Sequence, residues 1–182
     1  VFWAEALYWE FGFLSVEARF LLDVILSRRS IRSYEDKEIA KDVLDKIVEA
    51  GRQSPSAANR QPYRFVVVTD PEIKKAVAGL ASRFVKSVPV VIVGCANPKA
   101  LLTGKWAKID TAIAMENMVL AAWSLGVGSC WIGSFNEQKV KDALKIPQDW
   151  KVVALISLGY PAETPKQRKK KATKDLFHLN QF

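Results

Sequence analysis

Histidine occurs once in the 182 residues, as His178 near the end of the chain. A serine or cysteine nucleophile relayed through histidine would have to use that one ring, and no Gly-x-Ser-x-Gly elbow accompanies it. Cysteine occurs twice, as Cys95 and Cys130. That count argues against zinc sites of the His/Cys type and against a disulfide framework. A reducing, cytoplasmic setting is the simpler expectation. Gly104-Lys105 is followed by Trp106 where a P-loop needs Ser or Thr. After Gly126 and Gly128, Trp131 stands where a dinucleotide fingerprint needs its third glycine. A chain this poor in acid–base groups is ill suited to hydrolysis. Redox chemistry stays open if a cofactor carries the reactive atoms.

What is present is ordinary globular composition, 49% apolar and 25% charged. The length fits one domain or one compact subunit of an oligomer. Net charge is +8, which suits nucleic acid, acidic membranes or anionic small molecules. The cations concentrate at Arg28, Arg29 and Arg32 and again from Lys166 through Arg168 to Lys171. Neither stretch interleaves cations with aromatics as single-strand binders do, so no nucleic-acid partner is expected. Residues 1–15 form an aromatic extension with Phe2, Trp3, Tyr8, Trp9, Phe11 and Phe13. Glu5 and Glu10 interrupt it and no basic stretch precedes it, so it resembles neither a signal peptide nor a membrane span. It is expected to pack on its own subunit or on a partner.

Apolar spacing predicts helices over 16–27, 39–52 and 105–125, with Gly51 and Gly126 as stops. Asn136 is expected to cap a further helix reaching Leu144, and Asp70-Pro71 to open another. Short β-branched runs at 64–69, 88–96 and 152–158 read as buried strands, with a shorter one at 129–133. Continuous apolar strands alternating with helices predict a three-layer α/β or α+β subunit whose sheet is covered on both faces. Residues 16–182 read as one domain.

Four segments carry the remaining chemistry. Arg28-Arg29-Ser30-Ile31-Arg32 places three guanidinium groups and a hydroxyl within five residues, apt for a phosphate dianion, or else a solvated basic turn. In Ser54-Pro55-Ser56-Ala57-Ala58-Asn59-Arg60-Gln61, small residues admit a flat ligand, and Asn59 and Gln61 can bond a ring edge; an ordinary loop is the alternative. Gly126 to Gly133 allows close backbone approach or simply ends a helix. Within it, Cys130 reads as a small core residue rather than a nucleophile. Pro165-Lys166-Gln167-Arg168 opens a basic tail, whose usual fate is solvation.

The order of RRSIRSY, SPSAANRQPYRFVVV, the Asp110–Asn117 helix leading to GVGSCWIG, and GYPAETPKQRKK resembles the nitroreductase family of FMN enzymes, from about Leu21 to Phe182. The resemblance implies an α+β fold with a central, mostly antiparallel sheet flanked by helices, in an intertwined homodimer with FMN at the interface. It implies that Arg28, Arg29, Ser30 and Arg32 hold the FMN phosphate and ribityl chain, joined by Lys166 and Arg168. Pro55, Ser56, Ala57 and Asn59 would reach the FMN bound mainly by the other subunit. Trp131, Ile132 and Gly133 would line the isoalloxazine. The implied activity is hydride transfer from NADH or NADPH through the flavin to nitroaromatic, quinone or similar acceptors by a ping-pong cycle. Alternatives are a specialised member (dehalogenation, flavin conversion or dehydrogenation), a slow flavin-binding protein, or a basic nucleic-acid-binding module. The chain is short for the family, and residues 97–108 are the one candidate lid. Arg83, Lys86 and Lys105 are candidates, by charge alone, to meet the extra phosphate of NADPH.

Overall fold

The computed structural model describes residues 16–182. The aromatic segment 1–15, expected to pack on its own or a partner subunit, lies outside the described residues. The chain forms α1 (Val16–Ser27), α2 (Lys41–Arg52), β1 (Tyr63–Val68), α3 (Pro71–Val77), β2 (Val90–Ala96), α4 (Ala107–Ser124), β3 (Gly128–Ile132), α5 (Glu137–Leu144) and β4 (Lys151–Gly159). Short 3-10 turns, the longest at Leu80–Ser87, fill some connections.

The four strands make one sheet in the order β1-β2-β4-β3, antiparallel at every pairing. The two central strands are covered on both sides because their alternate residues feed two cores. From β2, Val90 and Ile92 join Met115, Met118 and Val119 of α4 on one face. Val91, Val93 and Cys95 face the other way, toward Val77 of α3 and Val140 of α5. A register shift between Gly94 and Cys95 breaks the pairing with β4 and lets Val152 and Leu155 share a core.

The predicted caps are formed. The Asp70 carboxylate accepts from the backbone N–H of Glu72 and Ile73, each at 2.9 Å, with Pro71 opening α3. Asn136 Oδ1 accepts from Lys139 N at 2.9 Å. Gly126 takes φ +76° just past the end of α4, the left-handed residue a helix stop needs. Gly51 differs from expectation: it lies inside α2, buried, and the helix continues to Arg52. A Cβ on Gly51 would come within 2.5 Å of Met118 Cε, so the glycine marks where α2 presses on α4 rather than where α2 stops.

No helix among the described residues is long and apolar enough to cross a membrane.

Candidate active site

After α1 ends, the chain runs beside β3 instead of turning into solvent. Ile31 N donates to Ser129 O at 2.9 Å, in a parallel bridge between Ser30 and Ser129. Farther on, Ala162 N donates to Ser33 O at 3.0 Å and Glu35 N to Tyr160 O at 2.9 Å. The 30–35 segment is thereby held between β3 and the chain leaving β4. Two glycines paired across β3 and β4, Gly128 and Gly159, permit this approach. A Cβ on Gly128 would lie 2.8 Å from Ile31 Cγ1, and one on Gly159 2.8 Å from Tyr34 Cδ1. Tyr34 completes the anchor: its hydroxyl lies 2.8 Å from Ser157 Oγ and donates to Ile31 O. Burial pushes the Tyr34 phenol well above its ordinary value, so it stays neutral.

This anchoring joins two of the predicted segments in space. Arg28, Arg29, Ser30 and Arg32 line one side of a cavity of about 400 Å³, and Lys166 and Arg168 line the other. Glu163 brings them together. Its carboxylate accepts from the backbone N–H of Arg32 and of Ser33, the latter at 2.9 Å, and so clamps the root of the tail onto the arginine segment. Glu163 was not singled out from the sequence. A lone acid in a run that is otherwise basic until Asp175 was the available signal.

The three arginines are not equivalent. Arg29 Nη1 donates to the carbonyls of Leu26, Ser27 and Arg28 at 2.8–2.9 Å and closes the C-terminal end of α1. Arg28, a quarter exposed, lies 3.9 Å from Glu116 of α4. Trp131 Nε1 donates to the same carboxylate at 2.7 Å. Glu116, also unforeseen, therefore ties the cation cluster to the indole of β3. Ile132 differs again, since its side chain is buried among Val91 and Val140 and only its backbone can meet a ligand. Gly133 is open: a Cβ there would meet nothing within 4 Å. Cys130 is buried, and burial raises its thiol, which suits the core role expected of it.

The Pro55–Asn59 loop lies apart from this cavity in its own chain and docks on α4. Ala57 N donates to the buried Asp110 carboxylate at 3.2 Å, and Asn117 Nδ2 donates to Ser54 Oγ at 2.8 Å. Asp110 and Asn117 are seven residues apart, so both fall on one helix face. Ala58, Asn59 and Gln61 all have φ near +50°. Left-handed alanine and glutamine are unfavourable, and such conformations gather at binding sites. Bonds from Gln61 N to Ser56 Oγ and from Gln61 Nε2 to Asn59 O hold the shape.

In the 97–108 segment, Leu101 and Leu102 are about four-fifths exposed. Gly104 N bonds Ala100 O at 2.9 Å, and a Cβ on Gly104 would strike the Pro98 carbonyl, so the turn is tightly wound.

Comparison with known proteins identifies the family. The nitroreductase family model matches residues 25–94 and 87–160. The chain belongs to the nitroreductase family. A Methanothermobacter thermautotrophicus protein, provisionally named NADH dehydrogenase/NAD(P)H nitroreductase, is 35% identical over 86% of this chain and 82% of its own length. The solved structure of a nitroreductase family protein from Clostridium novyi NT superposes with TM-score 0.74 at 40% identity, covering 81% of this chain and 88% of that one. An FMN-dependent nitroreductase from Clostridium difficile R20291 gives TM-score 0.74 at 30% identity, over 88% of this chain and 99% of that one.

Proposed function

We propose that this nitroreductase-family chain is an NAD(P)H-dependent FMN oxidoreductase that works as a homodimer. One observation carries the reading: Arg28, Arg29, Ser30 and Arg32 meet Lys166 and Arg168 around one cavity, although well over a hundred residues separate the two segments. A phosphate monoester carries nearly two negative charges at neutral pH, and convergent guanidinium and ammonium groups match it. No carboxylate lines that cavity; the positive charge suits the FMN phosphate, and the guanidinium and hydroxyl donors suit the ribityl hydroxyls.

When bound, FMN would accept hydride from NADH or NADPH and pass electrons to a nitroaromatic, quinone or similar acceptor in a ping-pong cycle. The chain's own groups bind and orient. Arg28, Ser30, Arg32, Lys166 and Arg168 anchor the phosphate end. Arg29 holds the end of α1, so that the cluster begins at a fixed place. Glu116 aims Arg28 and Trp131 together. The backbone of Trp131, Ile132 and Gly133 offers an edge where no side chain blocks a ring. Pro55, Ser56, Ala57 and Asn59 serve the site of a second copy, a role supported by the left-handed backbone of their loop at Ala58, Asn59 and Gln61 and by its not lining the cation cavity of its own chain.

The test is the absorption spectrum of purified protein before and after denaturation, with Arg28→Gln and Lys166→Gln beside the parent. The expected result is a yellow parent releasing about one FMN per chain. Each lost charged contact should weaken FMN about 10- to 100-fold. A colourless parent that takes up no added FMN would overturn the reading.

A further inference from the structure

On the other face of the sheet a second cavity, of about 500 Å³, opens between α3, the 80–87 turn and α5. Lys75, Arg83, Lys86 and Lys139 line it, and no carboxylate does. Lys75 is paired with Glu72 at 2.6 Å. Arg83, Lys86 and Lys139 take part in no ion pair among the described residues. These charges come from three different elements and converge on a concavity, which concentrates their field on whatever enters. One wall is the turn from Ser134 to Asn136, the residues directly after Gly133. Gly79 presses against that turn so closely that a Cβ would sit 2.6 Å from Ser134 O. The cavity wall is thus continuous with the backbone edge assigned above to the flavin ring. Lys105, grouped with Arg83 and Lys86 by charge alone, is not at this cavity; its ammonium lies 5.3 Å above the Trp106 ring.

We propose that this cavity is a second anion site that binds a phosphate monoester through Arg83, Lys86 and Lys139. The phosphate has two sources, the ribose 2′-phosphate of NADPH or a separate phosphorylated small molecule. The first source rests on the flavin-enzyme reading; the cavity's anion binding does not.

Calorimetric titration of the purified protein with adenosine 2′-monophosphate, adenosine and inorganic phosphate tests the site without reference to turnover. Adenosine 2′-monophosphate should bind and adenosine should not. The Arg83→Gln, Lys86→Gln double variant and Lys139→Gln should each weaken that binding about tenfold or more, with bound FMN unchanged. Circular dichroism confirms that the variants are folded. If the phosphate is the reductant's, the double variant loses about tenfold in kcat/KM for NADPH and keeps that for NADH. If it belongs to another molecule, inorganic phosphate displaces adenosine 2′-monophosphate while both kcat/KM values stay at the parent level. Equal binding of adenosine 2′-monophosphate by folded parent and variants, or no binding by the parent, would overturn the proposal. A protein without FMN that still shows the calorimetric difference would sink the enzyme reading and leave the anion site standing.

Discussion

The two helical layers that sandwich the sheet treat their apolar residues differently. In the layer of α3 and α5, Val77 and Val140 are spent on the core, and no residue of these helices is a large exposed hydrophobic. The outward side of that layer carries cations. In the layer of α1, α2 and α4, the same α4 that buries Met115, Met118 and Val119 exposes Ile109 and Ile113 on another side. Phe20, Leu21, Leu22, Ile25 and Leu26 of α1 are about half exposed beside it. An apolar surface of that extent marks an interaction face. The first layer is sealed, and the second is open, its apolar face uncovered among the described residues. The homodimer proposed above would use this face, joined through α1 and α4, which would bring the Pro55–Asn59 loop, docked on α4, toward a neighbour's cation cavity.

The largest effect expected from this contrast is on assembly. In the proposed homodimer, replacing both Ile109 and Ile113 by Asp would place carboxylates in the interface, at a cost of at least about 3 kcal/mol, or roughly 100-fold in dimer dissociation. Sedimentation should then show monomer at micromolar protein, with FMN lost in parallel. Lys75→Asp with Lys139→Asp, on the sealed layer, should leave the mass unchanged. A variant pair that behaves alike in both layers would erase the distinction.

A second contrast lies inside the open layer, between its outward surface and its inward packing. At Gly51 an added methyl meets Met118 at Cε, Cγ and Sδ, at 2.5, 2.7 and 3.0 Å. In an exposed helix, Gly→Ala gains about 1 kcal/mol. Here overpacking of about 1–3 kcal/mol opposes that gain; Met118 can swing its Cε aside more easily than its Cγ, which puts the cost near the middle of that range, about 2 kcal/mol. The expected outcome for Gly51→Ala is a net loss of about 1 kcal/mol in urea unfolding. A gain would show that α2 and α4 can separate without penalty.

These contrasts also mark what the sequence could reveal. The strands were legible because β-branched runs such as VVIVG have no polar break, and the caps because Asp70-Pro71 and Asn136 are local chemistry. Gly51 was misread since a glycine near a helix end looks alike whether it stops the helix or admits a neighbour. The cation clusters were visible as composition, but that they meet was knowable only through the family resemblance. Their meeting depends on Glu163 accepting from the Arg32 and Ser33 amides across 130 residues, a bond between a side chain and backbone that leaves no pattern in either segment. Glu116 was hidden for a related reason: an acid in a largely apolar helix looks like a solvent-facing position until its contacts with Trp131 and Arg28 are found.

The smallest expected effect concerns how the sealed layer holds its own buried charge. Lys141 of α5 is nearly fully buried, and its ammonium donates to Gln148 O and to Glu137, each at 3.1 Å. Burial alone would raise the Glu137 carboxyl. Donation from Lys141 and from the Val152 amide, with Lys151 nearby, outweighs it and holds the group below the ordinary carboxylate range. A carboxyl depressed in the folded state adds stability that is complete above its unfolded value and fades as pH falls through the folded one. Glu137 is over a third exposed, so screening trims the contribution to about 1 kcal/mol. Glu137→Gln should therefore unfold about 1 kcal/mol more easily than the parent at pH 7, which is about 2–4 °C in Tm for a chain of this size. The gap should be smaller at pH 3, below the ordinary carboxylate range, than at pH 7. A gap of the same size at both pH values would mean that the glutamate acts through packing, and that the Lys141 ammonium is satisfied by the Gln148 carbonyl alone.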